Sequence, residues 1–143
     1  WGFKNQTLIS VSQMREYLFP WHKKISQAAH DAKKYSMVHS CGYFKDIADD
    51  FINDLKFDAK HSYEDVIMPV EEAYINYGKR FAVLGGMDVD FLARKTPDEI
   101  KARAKKMIEL TNNTGYALGS GNSIANYIPF ENYKALLDCK NEL

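Results

Sequence analysis

Long apolar runs are missing from this sequence. The longest, such as Phe81-Ala82-Val83-Leu84, fall far short of the ~20 residues that a bilayer-spanning helix needs. No leader pattern opens the chain, so the expected location is the cytoplasm. Cysteine is scarce: Cys41 and Cys139 stand in unrelated surroundings, which does not read as the disulfide framework of a small secreted domain. Both are expected to be reduced thiols. An excess of charge of either sign is also absent, because 19 Lys and Arg balance 19 Asp and Glu. That removes any bulk electrostatic case for binding nucleic acid or an anionic membrane. No low-complexity linker divides the chain, and it opens on Trp1 rather than methionine, as expected of a piece of a longer protein.

What is present is ordinary globular composition, 45% hydrophobic and 27% charged over 143 residues, enough for one domain with a real core. From Ser10 onward, Met14, Tyr17, Leu18, Trp21, Ile25, Ala28 and Ala29 recur at helical spacing and predict one buried face, with a kink at Pro20. Tyr35 to Cys41 reads as a short strand closed by Gly42, and a helix follows through Phe44, Ile47, Ala48, Phe51, Ile52 and Leu55. Lys56 to His61 is a second strand, and Pro69 to Tyr77 a helix that leaves at Gly78. Phe81 to Leu84 is the clearest strand. After Gly85-Gly86, Thr96-Pro97-Asp98-Glu99 forms a capping box with proline at the first helical position. Tyr116-Ala117-Leu118 is a last strand before Gly119-Ser120-Gly121-Asn122, and Pro129 opens a closing helix.

An opening helix followed by four strand–helix units predicts a parallel sheet, either a small doubly wound sheet or half of an eight-stranded barrel. Both place function at the carboxyl ends of the strands. Those ends carry His39 and Cys41, then Lys60 and His61, then Asp88, then Asn122. His39 and Cys41, two residues apart, can face the same way and bind zinc as a pair; the competing reading is a hydrogen-bonded histidine beside a small buried cysteine. Cys139 lies too far off to complete a metal set. Lys60 and His61 suit a carboxylate or phosphate, and His61 also suits general acid–base work; the alternative for His61 is a surface or capping role. Asp88 could hold a cationic group or orient a histidine, or simply belong to a strand–helix loop. Gly85 and Gly86 would let a ligand approach the backbone, and Gly121, within Gly119 to Ser123, would offer N–H groups to an anion. His22 and His30, on the first helix, are read as structural or solvent-facing.

In this order Ile9-Ser10, Met14-Arg15-Glu16-Tyr17 with Pro20, His39-Ser40-Cys41-Gly42, Leu84-Gly85-Gly86-Met87-Asp88, Thr96-Pro97-Asp98-Glu99 and Pro129-Phe130-Glu131-Asn132 resemble the second half of the uroporphyrinogen decarboxylase superfamily. The resemblance covers essentially the whole chain. It implies that residues 1–143 are a single partial domain, the C-terminal half of a (β/α)₈ TIM barrel. In the superfamily's corrinoid methyltransferases a His-x-Cys pair and a cysteine near the last strand's end hold a catalytic zinc. His39 and Cys41 match the pair, whereas Asn122 stands at the third position, where the decarboxylases carry a histidine.

The resemblance therefore implies methyl transfer dependent on zinc and on a corrinoid carried by a partner protein, with His39 and Cys41 as metal ligands. His61, Asp88 and Asn122 are the candidate catalytic residues; Gly85, Gly86 and Gly121 are the candidate cofactor-binding ones. The substrate would be a small-molecule methyl donor or acceptor. The alternatives are cofactor-free decarboxylation of uroporphyrinogen III in porphyrin synthesis, or an inactive half-barrel with a structural or binding role. Open sheet edges predict a homodimer or completion by the missing N-terminal half.

Overall fold

In a computed structural model, which describes residues 1–139, four short strands form one parallel sheet in sequential order: β1 Met37–His39, β2 Ala59–His61, β3 Ala82–Leu84 and β4 Tyr116–Ala117. The sheet is thus the partial barrel arrangement, each strand reached from the last through helical crossovers. Of the expected domain, residues 140–143 lie outside the described residues. No helix among the described residues is long and apolar enough to cross a membrane.

Register fixes which side chains share a face. Val38, Lys60, Val83 and Tyr116 form one row toward the helices, and His39, His61, Leu84 and Ala117 form a row on the opposite, concave side. On that concave side Met37 is 65% exposed, because nothing among the described residues covers it. The convex side is covered by helical segments. The buried residues Phe44, Ile47, Phe51 and Leu55 pack with Val38, Val83, Val70 and Ala73 in the main core. Phe44 and Ile47 come from the start and end of a 3₁₀ turn Lys45–Ile47 capped by Phe44, and Phe51 and Leu55 from a π-helix Asp50–Asp54 closed by Leu55, with α3 Val70–Tyr77 beside them, entered through Pro69 and left at Gly78. A second core joins Met87, Leu92, Ile100, Ala104, Ile128, Ala135, Leu136 and Cys139, between α4 Val89–Arg94, α5 Pro97–Thr111 and α6 Phe130–Asp138.

Two local features follow from sequence directly. Thr96 and Glu99 make the reciprocal capping box expected at the start of α5. Gly42 takes φ +86°, and a Cβ there would stand 2.0 Å from Gly2 O, so the turn after β1 accepts only glycine.

The opening helix departs from its expected orientation. It runs as α1 Val11–Gln13, a π-helix Met14–Leu18 and α2 Phe19–Asp31. The wide turn sits just before Pro20, where a proline without an N–H interrupts the ladder. Met14, Phe19 and Ser26 face the core, while Tyr17, Trp21 and Ile25 are 62%, 63% and 63% exposed. Of the stripe that periodicity grouped as one buried face, Met14 is buried and Leu18 and Ala29 are half-buried, whereas Tyr17, Trp21, Ile25 and Ala28 face away from the core. The core side of the helix uses a buried Ser26 hydroxyl, which donates to Leu55 O, and His22, whose ring meets Trp1 edge-on at 4.4 Å. His30 is structural too, its Nε2 2.8 Å from Asp58 Oδ2.

Candidate active site

At the carboxyl end of β1 and β2 the chain assembles a contiguous polar cluster. His39 and His61 are register partners, so both rings rise from the same concave row and meet, Nδ1 to Nδ1, at 2.8 Å. The far nitrogen of His61, Nε2, lies 3.0 Å from the carbonyl oxygen of Ser120. The far nitrogen of His39 lies 3.4 Å from Cys41 Sγ.

Proton positions follow by elimination. A carbonyl oxygen only accepts, so His61 Nε2 carries the hydrogen. With both rings neutral, His61 Nδ1 is then the acceptor and His39 Nδ1 the donor, which leaves His39 Nε2 bare and facing the Cys41 sulfur. Burial first, then the neighbouring His61 and Lys60, hold the His39 ring below the ordinary histidine value, in keeping with a neutral ring near pH 7.

The sulfur is an acceptor in its turn. Ser62 Oγ donates to it at 3.3 Å, and Asn122 Nδ2 donates to it at 3.3 Å. The amide's orientation is settled by its other end, since Oδ1 accepts the Ser123 N–H at 2.9 Å. Asn122 therefore turns its NH₂, not its oxygen, toward Cys41. At the position where the resemblance would put a third metal ligand, Asn122 is instead a hydrogen-bond donor to Cys41. Cys139, as expected, lies elsewhere, fully buried in the second core.

Several strand-end residues serve other ends than those expected. Lys60 belongs to the convex row, is 0% exposed, and donates to Ser62 O from between the rings of Phe44 and Tyr63, so it cannot greet an anionic ligand. Asp88 is only 8% exposed. Its Oδ1 caps α4 by accepting from Asp90 N at 2.7 Å and Phe91 N at 3.1 Å, and its Oδ2 accepts from Asp65 N at 2.8 Å, so its carboxylate is engaged by backbone and orients no histidine.

The glycines make room for the protein itself. A Cβ on Gly85 would meet Ser120 O at 2.2 Å and His61 Nε2 at 2.8 Å, and one on Gly86 would meet Val70 Cγ2 at 2.2 Å. The Gly121 N–H donates to Met87 O at 2.6 Å and the Ser123 N–H to Asn122, which leaves no anion cradle at those two amides. Beside Asn122 opens a cleft of about 710 Å³, walled by Tyr63, Glu64, Asp88, Phe91 and Tyr127.

Lys60 has a measurable consequence. Burial pulls its ammonium down to about 7, against the smaller upward pull of Cys41 and Glu64. Between that value and the unfolded value the unfolded chain binds a proton that the native one does not, so stability rises with pH. Unfolding free energy is expected to climb by up to about 3 kcal/mol from about pH 7 to about pH 9.5, and the climb should be absent in Lys60→Met. Above that range the buried phenol of Tyr63, pushed up by burial, acts in the opposite sense. Urea titrations across the range check it; equal slopes in both proteins would contradict it.

The profile of the family "Uroporphyrinogen decarboxylase (URO-D)" matches residues 4–143. The chain belongs to the uroporphyrinogen decarboxylase family. A solved methyltransferase from Methanosarcina mazei is similar to this family member, with a TM-score of 0.75 and 26% sequence identity over 94% of this chain. The chain spans 38% of that protein's length. No curated protein matches the sequence. Within the family's barrel, the His39–Cys41 cluster occupies the carboxyl edge of the parallel strands, where barrel enzymes build their active sites.

Proposed function

We propose that this chain carries half of the active site of a zinc-dependent methyltransferase, in which His39 Nε2 and Cys41 Sγ hold the metal. The observation that carries the reading is their separation. Zinc bonds of about 2.0–2.1 Å to nitrogen and 2.3 Å to sulfur in tetrahedral geometry put the two donors about 3.5 Å apart, and here they are 3.4 Å apart with the nitrogen bare. No group of three or more His, Cys, Asp or Glu suited to a metal occurs among the described residues, and this reading needs a third ligand from outside them. Bound there, zinc would activate a thiol or polarise a methyl donor, with a corrinoid on a partner protein carrying the methyl group. The protein's own part is to keep His39 Nε2 unprotonated, to stabilise the Cys41 sulfur through Ser62 and Asn122, and to receive a small substrate in the adjoining cleft. A cytoplasmic location, and completion of the open sheet by an N-terminal half or a second copy, belong to the same reading.

Zinc analysis of the protein that carries this chain, purified without chelator, tests it. Near-stoichiometric zinc is expected, lost in Cys41→Ser, together with methyl transfer to or from a corrinoid. Zinc-free protein that turns over uroporphyrinogen III would overturn it in favour of decarboxylation, the reading that the family's own description favours.

A further inference from the structure

The geometry points to His61 as a positioning residue whose Nδ1 fixes the tautomer and tilt of His39, so that the His39 Nε2 lone pair is presented toward the Cys41 sulfur. The inference rests on the zinc reading above and deepens it. Sequence alone would assign His61 to general acid–base work, yet in the structure both of its nitrogens are occupied. Nε2–H is tied to Ser120 O at 3.0 Å and Nδ1 to His39 Nδ1 at 2.8 Å. A neutral imidazole with one donor and one acceptor thus has no nitrogen left for a substrate.

Its environment makes the arrangement rigid. Ser120 is joined through an isolated bridge to Met87, in the loop just beyond β3. The absence of a side chain at Gly85 lets the Ser120 carbonyl and the His61 ring come together, since a Cβ would intrude on both. The chain from Ser120 through His61 to His39 therefore anchors a β1 side chain to the loop after β4 across two intervening strands. An acceptor on the second nitrogen of a metal-binding histidine is the feature that fixes ring orientation and raises basicity, and losing one commonly weakens metal affinity 10–100-fold.

Two near-isosteric substitutions separate positioning of His39 from mere anchoring of the loop. Asparagine at 61 can put its Oδ1 where Nδ1 now lies, keeping the acceptor for His39 and losing the bond to Ser120. Glutamine reaches the Ser120 carbonyl with its NH₂ and leaves His39 Nδ1 without its acceptor. Zinc affinity is measured by competition with a chromogenic chelator, and Co²⁺ is used as a spectroscopic probe on the protein that carries this chain. His61→Asn is expected to bind within a few-fold of wild type, with a wild-type-like Co²⁺ ligand-field spectrum. His61→Gln should bind about 10–100-fold more weakly, with a shifted spectrum. The reverse order, or equal affinity and spectra in both variants, overturns the positioning role while leaving zinc binding intact. A wild-type protein that takes up neither ion overturns the zinc reading itself, and this inference with it.

Discussion

Replacing Arg103 with alanine is expected to cost about 2–4 kcal/mol of stability, somewhat below the about 3–5 kcal/mol for stripping one partner from a fully buried ion pair, because its carboxylate partners are partly exposed. The Arg103 side chain is 13% exposed. Its guanidinium donates to Asp65 at 2.6 and 2.8 Å and to Glu71 at 2.7 and 2.8 Å, and it lies 4.9 Å from the Phe91 ring centroid. Burial raises the Glu71 carboxyl, but the Arg103 hydrogen bonds and charge more than reverse this and leave it below its ordinary value. Without Arg103, two carboxylates about one-third exposed would face each other across the space it filled. Lysine should not rescue the loss, because one ammonium cannot satisfy two carboxylates as a planar fork does. If stranded charge is the cause, Asp65→Asn and Glu71→Gln added to Arg103→Met should recover most of it. Urea unfolding of the set decides; a loss below about 0.5 kcal/mol, the level of an exposed pair, would show that the clamp contributes nothing. The clamp matters to the site because Asp65 also gives its N–H to Asp88, so Arg103 steadies the loop that walls the cleft.

Gly85→Ala should be at least as damaging, and its damage should reach the metal pair. Gly85 has φ +70°, a conformation that costs an L-residue about 1–2 kcal/mol, and overpacking adds about 1–3 kcal/mol. The intruding methyl would meet the two atoms of the His61–Ser120 hydrogen bond. A lower melting temperature together with weaker zinc binding is expected. Gly86→Ala is the control: φ +98° and Val70 in the way predict lost stability with no direct push on either histidine. Gly85→Ala protein that melts and binds zinc like wild type would refute the packing account.

Where one local rule decided a feature, it could be read from sequence. The Thr96–Glu99 box, the Pro69 and Pro129 entries and the ends at Gly78 and Gly42 all depend on a few neighbouring residues. Harder to read were features set by tertiary partners. Periodicity grouped Met14, Tyr17, Leu18, Trp21, Ile25, Ala28 and Ala29 on one face but could not know that only part of it, led by Met14, meets the core while Tyr17, Trp21 and Ile25 point away. The α4 helix went unread because it is only Val89–Arg94; its signal was Asp88, which caps it and was instead assigned to chemistry. His39 and Cys41 were visible as a pair, whereas the His39–His61 contact depends on the β1–β2 register, which no motif encodes. The same holds for Asn122, a catalytic candidate by sequence, whose amide orientation reveals a donor to the Cys41 sulfur.

That register has a consequence for how the protein can vary. Along a strand, side chains alternate faces, so the chemistry depends on whether the number of residues before each histidine is odd or even. With strands of only three residues at β1 and β2, inserting a single residue within the strand ahead of His39 or His61 would swing that ring from the concave side into the helical layer. Insertions in the loops that feed these strands leave the phase intact, whereas one within a strand reverses the faces of every residue beyond it.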